Sequence, residues 1–277
     1  TVTEYYGYLD YPFIFRIHEP VEADDLLKVL TVLKEQGIIH DKISDMLMAK
    51  AQRIKDNNRG QITSQDIFML LNSVKETIYY EAVSNVILRI FKKARYSAIN
   101  LGHFGLSEND YSHFTSPIRR AADLINHIII DYIMELNNCP DQDRQMVLLD
   151  NLEKLQQKLA LICEHISEKE VLADKAEQRI EEIEQFQYVI DNADHFDGPL
   201  AARILHINKL GARIIVDDLI KANIDNADLF EQGYAYKHES RTFVRKKQCI
   251  KFGSAIWVSG LNLSADTLTI NYANLAL

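Results

Sequence analysis

The sequence predicts an α+β chain in which a mainly helical region leads into a small β-barrel. Three observations carry this. Between about residues 24 and 190 Gly and Pro are sparse and apolar residues recur at helical spacing. Asn192–Pro199 reads as turn chemistry through Asp-His-Phe-Asp-Gly-Pro. Short runs rich in Ile, Val, Thr and aromatics then follow to the end of the chain.

Each element has its own signal. Asp24-Asp25 stands before an apolar stripe, as the acidic opening of a helix. Leu148, Leu152, Leu155, Leu159, Ile162 and Ile166 step by fours and threes, which places one apolar stripe along a helix. A second stripe, Ala173, Ala176, Ile180 and Ile183, continues toward Phe186. Together they suggest an intramolecular helical hairpin, since a dimeric coiled coil needs longer unbroken heptads. Ala202–Ile207, Arg213–Val216, Thr242–Arg245, Ala255–Ser259 and Thr267–Tyr272 are the expected strands. Five short strands suit a small closed barrel, most simply an OB-fold. The expected boundaries are 1–194 for the helical part and 195–277 for the barrel.

Composition excludes several classes. With 277 residues, 47% apolar and 26% charged, the chain is neither a disordered tail nor a collagen-like fibre. Cys139, Cys163 and Cys249 are odd in number and form no CxxC pair. That argues against a disulfide framework or a Cys-rich zinc site, and suits a reducing, cytoplasmic setting. The longest apolar stretch, Leu124–Met134, is broken by Asn126, His127 and Asp131, so no membrane span of about 20 residues is expected. No signal peptide is read, and Thr1 in place of Met suggests a piece of something longer.

Charge is unevenly spread. The formal net charge is −9, yet residues 88–120 hold six Lys and Arg against Glu108 and Asp110. Residues 141–194 hold 14 acidic and 6 basic side chains. A locally basic surface can hold an anion on an acidic protein, because fields decay within about 10 Å at ordinary salt.

The most unusual run is His103-Phe-Gly-Leu106, followed by Tyr111-Ser-His-Phe-Thr-Ser-Pro-Ile-Arg-Arg120. Histidines, hydroxyls and paired arginines gather at a turn before an apolar helix. Ser116 is placed to cap that helix and Pro117 suits its first turn. A helix start offers free N–H groups to phosphate, and Arg119 and Arg120 add bidentate forks. The residues equally allow a capped helix whose arginines pair with Asp110 or Asp123, with His103 and His113 structural.

That run closely resembles the signature of the ribonuclease II/ribonuclease R (RNB) family of exoribonucleases, nearer its ribonuclease R branch. Leu9–Glu19 (Leu-Asp-Tyr-Pro-Phe-Ile-Phe-Arg-Ile-His-Glu), Ile166–Glu170 and Ala173–Glu177 resemble further family segments in the same order. Residues after about 195 resemble its terminal OB barrel. The resemblance implies the C-terminal half of an RNB catalytic domain plus that barrel. It implies processive 3′-to-5′ hydrolysis of single-stranded RNA to nucleoside 5′-monophosphates with magnesium. It casts Arg119 as the catalytic arginine. Tyr111, His113, Thr115, Ser116 and Arg120 become the RNA-binding wall, with His103 adjoining.

Two departures stand beside it. The family's metal-binding aspartate cluster has no match here: Asp24-Asp25 reads as a helix start and Asp217-Asp218 as a hairpin turn. No metal ligand is therefore assigned, and the chain by itself is expected to be inactive, its missing N-terminal part being a possible partner. The barrel stretch Lys209–Ile214 lacks the aromatic on which bases stack; Tyr234, Tyr236, Phe243 and Arg245-Lys246-Lys247 could contact RNA or equally be core and solvated edge. The alternatives are a non-catalytic RNA-binding module and a helical protein-interaction adaptor.

Overall fold

The structure is a computed structural model and describes residues 2–6, 11–35, 37–39, 42–77, 79–238 and 242–277. Its helices and strands alternate early as α1 (Val2–Tyr6), β1 (Phe15–Ile17), α2 (Ala23–Glu35), α3 (Lys42–Asn57), α4 (Ser64–Ser73), α5 (Tyr80–Ile90) and β2 (Arg95–Ser97). A single 3₁₀ turn at Phe104–Leu106 precedes α6 (Ala121–Asn138) and α7 (Gln142–Asp191). The chain divides into two compact units, one of residues 1–31, 41–72 and 87–174, the other of 32–40, 73–86 and 175–277.

In the first unit, β1 and β2 pair antiparallel with Arg16 opposite Tyr96. The backbone just before β1 needs partners of its own. Asn126, fully buried on α6, supplies them: Ile14 N–H donates to its Oδ1 at 2.9 Å and its Nδ2 donates to Ile14 C=O at 2.9 Å. Around this clamp Ile14, Tyr96, Ala122, Leu159 and Cys163 form one cluster, and Ile129, Ile133 and Leu152 another. The Leu148–Ile166 stripe is thus the buried seam of α7 against α6, with Leu148, Leu152 and Leu159 all but inaccessible.

The second stripe does not behave as expected. Ala173, Ala176, Ile180 and Ile183 are exposed, and both stripes lie on the one continuous 50-residue helix α7. Nothing from Leu159 to Asp191 is Gly or Pro, so no loop can fold the second stripe onto the first. The turn that does make a hairpin is Cys139–Asp141, between α6 and α7, where Pro140 halts the helix.

In the second unit, α8 (Ala193–Phe196) leads into β3 (Leu200–Asn208), β4 (Gly211–Val216), β5 (Ile220–Asp225) and α9 (Asn226–Glu231). Then come β6 (Ala235–Lys237), β7 (Thr242–Arg245), β8 (Gln248–Ile250), β9 (Ala255–Ser264) and β10 (Thr269–Ala276). Five strands close a barrel in the order β10-β5-β4-β3-β9, with β10 and β5 parallel. Gly211 permits the close crossing of β4 and β5: a Cβ there would sit 2.1 Å from Ile224 O, at φ +145°.

One expected strand changes place. Thr242–Arg245 pairs with β6 and β8 in a separate three-stranded sheet, and the fifth barrel strand is Ile220–Asp225. Ala222, Asn223 and Asp225 are poor strand formers, so propensity gives that segment little signal. Its inward set Ile220, Ala222 and Ile224 is nonetheless buried to about 1% or less, and packing outweighs propensity.

Candidate functional site

The register of β1 against β2 places Arg16 beside Tyr96, and this pair founds the site. The Arg16 guanidinium lies 4.7 Å from the Tyr96 ring centroid and bonds to the Glu170 carboxylate of α7. Tyr96 Oη is 2.9 Å from His113 Nδ1 and 3.4 Å from Glu170 Oε1. Arg16 N–H also donates to Tyr111 C=O at 2.9 Å, so the signature segment runs alongside β1. Ser112 Oγ donates to Ile14 C=O at 2.6 Å and accepts from Asn126 Nδ2 at 2.9 Å, tying the same segment to α6.

Aromatic edges then form a row. His18 and His103 rings lie 5.2 Å apart, His103 and Tyr111 5.1 Å, Tyr111 and His113 5.8 Å, and His113 and Tyr96 5.6 Å. Desolvation pushes the Tyr96 hydroxyl up to about 12, helped by the Glu170 charge, so it remains a donor. Desolvation, then the charges of Arg120 and Arg16, lower His113 to about 4. A neutral His113 accepting from Tyr96 at Nδ1 carries its proton on Nε2.

His103 is likewise held low, by desolvation and then by His18 and Arg16. Its Nδ1 accepts from Leu106 N–H at 3.3 Å, capping the 3₁₀ turn. His18 receives Gly105 N–H on Nδ1 at 2.8 Å, which leaves Nε2 to donate to Lys92 C=O at 2.5 Å. A cavity of about 370 Å³ opens against His103, walled also by His18, Ser64 and Asn109.

The expected site residues therefore separate. His103, Tyr111 and His113 share the aromatic row, and Arg120 and Arg16 both act on His113. Arg120 is committed inside the protein: its Nη2 donates to Asp123 Oδ1 at 3.0 Å, and Asp123 is fully buried. Ser116 does not cap α6 with its side chain. The helix begins at Ala121, and the Asp123 carboxylate instead accepts Ser116 N–H at 2.7 Å. Pro117 accordingly lies in the turn before the helix, because residues 117–119 curl back so that Arg119 and Arg120 N–H both reach Ser116 C=O. Thr115 and Arg119 are exposed, and the Arg119 guanidinium makes no hydrogen bond or ion pair with the described residues. Of the two arginines that follow Pro117, the first is uncommitted and the second is neutralised.

Sequence reasoning missed Tyr96, and it gave Arg16 and Glu170 no role although both lie in quoted segments. Their meeting depends on strand register and on α7 passing β1, which spacing in sequence does not report.

The described residues do not fit a divalent metal. No three His, Cys, Asp or Glu among them converge. Asp24 pairs with Lys28 and Lys55, Asp217 with His195, and Asp218 with Arg203, whereas magnesium needs near-octahedral oxygen ligands.

Comparison with known proteins agrees with the signature. Residues 1–135 match the RNB domain model. Ribonuclease R of Thermotoga maritima is 26% identical over 250 residues, covering 90% of this chain and 31% of that protein. The chain spans about a third of the length of the curated relatives it matches. Mycoplasma genitalium RNase R, solved in complex with ribose-methylated single-stranded RNA, superposes with TM-score 0.75 at 19% identity. It covers 98% of this chain and 39% of that one. Yeast Ssd1, described as a pseudonuclease, superposes at 0.57 with 15% identity, covering 95% and 28%. Motif, domain match and relatives agree: residues 1–135 match the RNB domain, and the chain is similar to ribonuclease R along nearly its whole length.

Proposed function

We propose that the protein carrying this chain is a cytoplasmic 3′-to-5′ exoribonuclease that hydrolyses single-stranded RNA processively to nucleoside 5′-monophosphates. One observation carries the reading: within an RNB-matching segment, Arg119 alone of the signature arginines is exposed and unspent. The surrounding groups are fixed by the Asp123, Asn126 and Tyr96 contacts, so the backbone that presents Arg119 is rigid. A guanidinium without an internal partner meets a phosphate without first breaking a bond, and can offset charge that develops there. Arg120, His113 and Tyr111 act on its position and on the wall beside it; Thr115 is free to contact the strand. The closed barrel, with β10 parallel to β5 and α9 after β5, is read as an OB-fold.

Dependence on a divalent ion is general among RNB nucleases, and magnesium is the ion expected here. No ligand set for it converges among the described residues. On the same ground the chain alone is expected to bind RNA without releasing monophosphates. Arg119→Ala in the intact protein should lower turnover about 100-fold to 1,000-fold while RNA affinity changes less than about threefold. Parallel loss of binding and turnover would make Arg119 a ground-state anchor.

A second reading is a non-catalytic RNA-binding module. The fold shared with a protein described as a pseudonuclease shows that this architecture need not imply cleavage. Incubating the intact protein with magnesium and single-stranded RNA separates the two: the enzyme releases 5′-monophosphates, the module does not.

A further inference from the structure

We infer that the polyanion-binding surface of the second unit is the β6-β7-β8 sheet, and that its partner is the phosphate backbone of single-stranded nucleic acid. The barrel's own β4–β5 face is not that surface. The inference goes beyond the catalytic reading and does not need Arg119.

Charge is the first ground. Residues 235–251 contain six Lys and Arg and one Glu, in a chain whose net charge is −9. Lys237, Arg245, Lys246, Lys247 and Lys251 are all exposed, and none forms an ion pair with a described carboxylate. The strands are three or four residues long, so these cations fall within about 10–13 Å along the sheet. That is roughly two phosphate spacings of an extended strand.

Rigidity is the second ground. Phe243 and Ile250 are fully buried and Tyr236 packs against the same core, so the sheet is anchored from below. Arg245 lies 5.6 Å from the Tyr234 ring centroid, and Lys251 Nζ lies 3.4 Å from Tyr79 Oη. The hairpin tip between β7 and β8 is Lys246-Lys247, with Lys246 at φ +52°. No bulky apolar residue stands at that tip, which a membrane-inserting surface would need.

The third ground is what faces β4 and β5. A cavity of about 350 Å³ is bounded there by Arg213, Lys221 and Asn223 on one side and by Glu181 and Glu182 of α7 on the other. A phosphate entering it would meet two carboxylates as well as two cations, and the β4 segment offers no aromatic for a base. Among the described residues, the inserted sheet offers cations without that opposition.

Fluorescence anisotropy with labelled oligo(U) and the full chain tests this between 50 and 200 mM salt. Two double variants are compared, Lys246→Asn with Lys247→Gln, and Arg213→Gln with Lys221→Gln. Asn tolerates the left-handed backbone at the tip, and thermal unfolding followed by Trp257 fluorescence checks that both variants fold. Losing two phosphate contacts should lower the salt slope by about 1.4, so the wild-type advantage over the tip variant shrinks about sevenfold across that range. The Arg213/Lys221 variant should keep the wild-type slope. Loss confined to Arg213/Lys221, equal loss in both, no oligo(U) binding, or binding to phosphatidylserine vesicles in place of oligo(U) would each overturn the inference. A failed Arg119 experiment would leave it standing, since the tip variant is judged on its own salt slope.

Discussion

Asp123→Ala should cost the first unit about 3–5 kcal/mol, and the reason lies in how few partners share one oxygen. Asp123 is fully buried and its Oδ1 serves both Ser116 N–H at 2.7 Å and Arg120 Nη2 at 3.0 Å. Truncation leaves Arg120, whose side chain is only 20% exposed, as a largely desolvated lone charge. Breaking such a pair typically costs about 3–5 kcal/mol, and Arg120's residual contact with water favours the lower half. An orphaned Ser116 N–H, half-buried and within reach of water, adds about 1 kcal/mol, which keeps the total within that range. Asp123→Asn keeps an oxygen for Ser116 and loses only the charge, so it should fall near half the alanine value. Arg120→Met with Asp123→Leu leaves no charge alone and should cost less than Asp123→Ala by itself. Native-state hydrogen exchange on the α6 amides is the assay, because Trp257 stands in β9 and reports the barrel. Protection of α6 should fall by about two to three and a half powers of ten in Asp123→Ala, at 1.4 kcal/mol per tenfold. Loss below tenfold, or a double variant worse than the single one, would refute the claim that the pair organises this corner.

Three further outcomes follow from the same contacts. His113 is held to about 4 against an ordinary 6.5, so the unfolded chain binds a proton before the folded one does. Stability is then flat above pH 6.5 and falls as pH drops toward 4, by at most about 3 kcal/mol; His113→Gln should remove that part of the slope in exchange measured from pH 7 to 5. Asn126→Leu strands Ile14 N–H, which should speed exchange at β1 by the equivalent of about 1–3 kcal/mol; unchanged protection at Ile14 would contradict the clamp. Gly211→Ala drives a Cβ to 2.1 Å from Ile224 O, so the Trp257 unfolding transition should shift by at least about 3 kcal/mol or vanish.

What was legible in the sequence was whatever short-range periodicity and local chemistry control. The Leu148–Ile166 stripe named the buried seam of α7 because packing and spacing agree there. Ile180 and Ile183 satisfied the same spacing and are exposed, since a stripe states which residues share a face and not whether a partner covers it. Ile220–Asp225 was missed for the opposite reason: its inward alternation is clean, but the residues between are weak strand formers. In the site, the Tyr111–Arg120 run was visible as a string, whereas Arg16, Tyr96 and Glu170 meet only through register and a helix that returns 154 residues later.

The division of labour between Arg119 and Arg120 follows from where the helix begins. Had α6 started at Pro117 with Ser116 as its cap, both guanidinium groups would leave the first turn at about 100° from each other and compete for the same solvent. The helix begins at Ala121 instead, and Asp123 in its first turn reaches back to Ser116 N–H and Arg120 together. One carboxylate thereby closes the turn, cancels one arginine and occupies the helix end that an anion would otherwise seek. The charge that remains uncommitted is the single Arg119 guanidinium. On the proposed reading a single exposed guanidinium meets the phosphate, while Arg120, already paired with Asp123, holds the turn from which Arg119 projects.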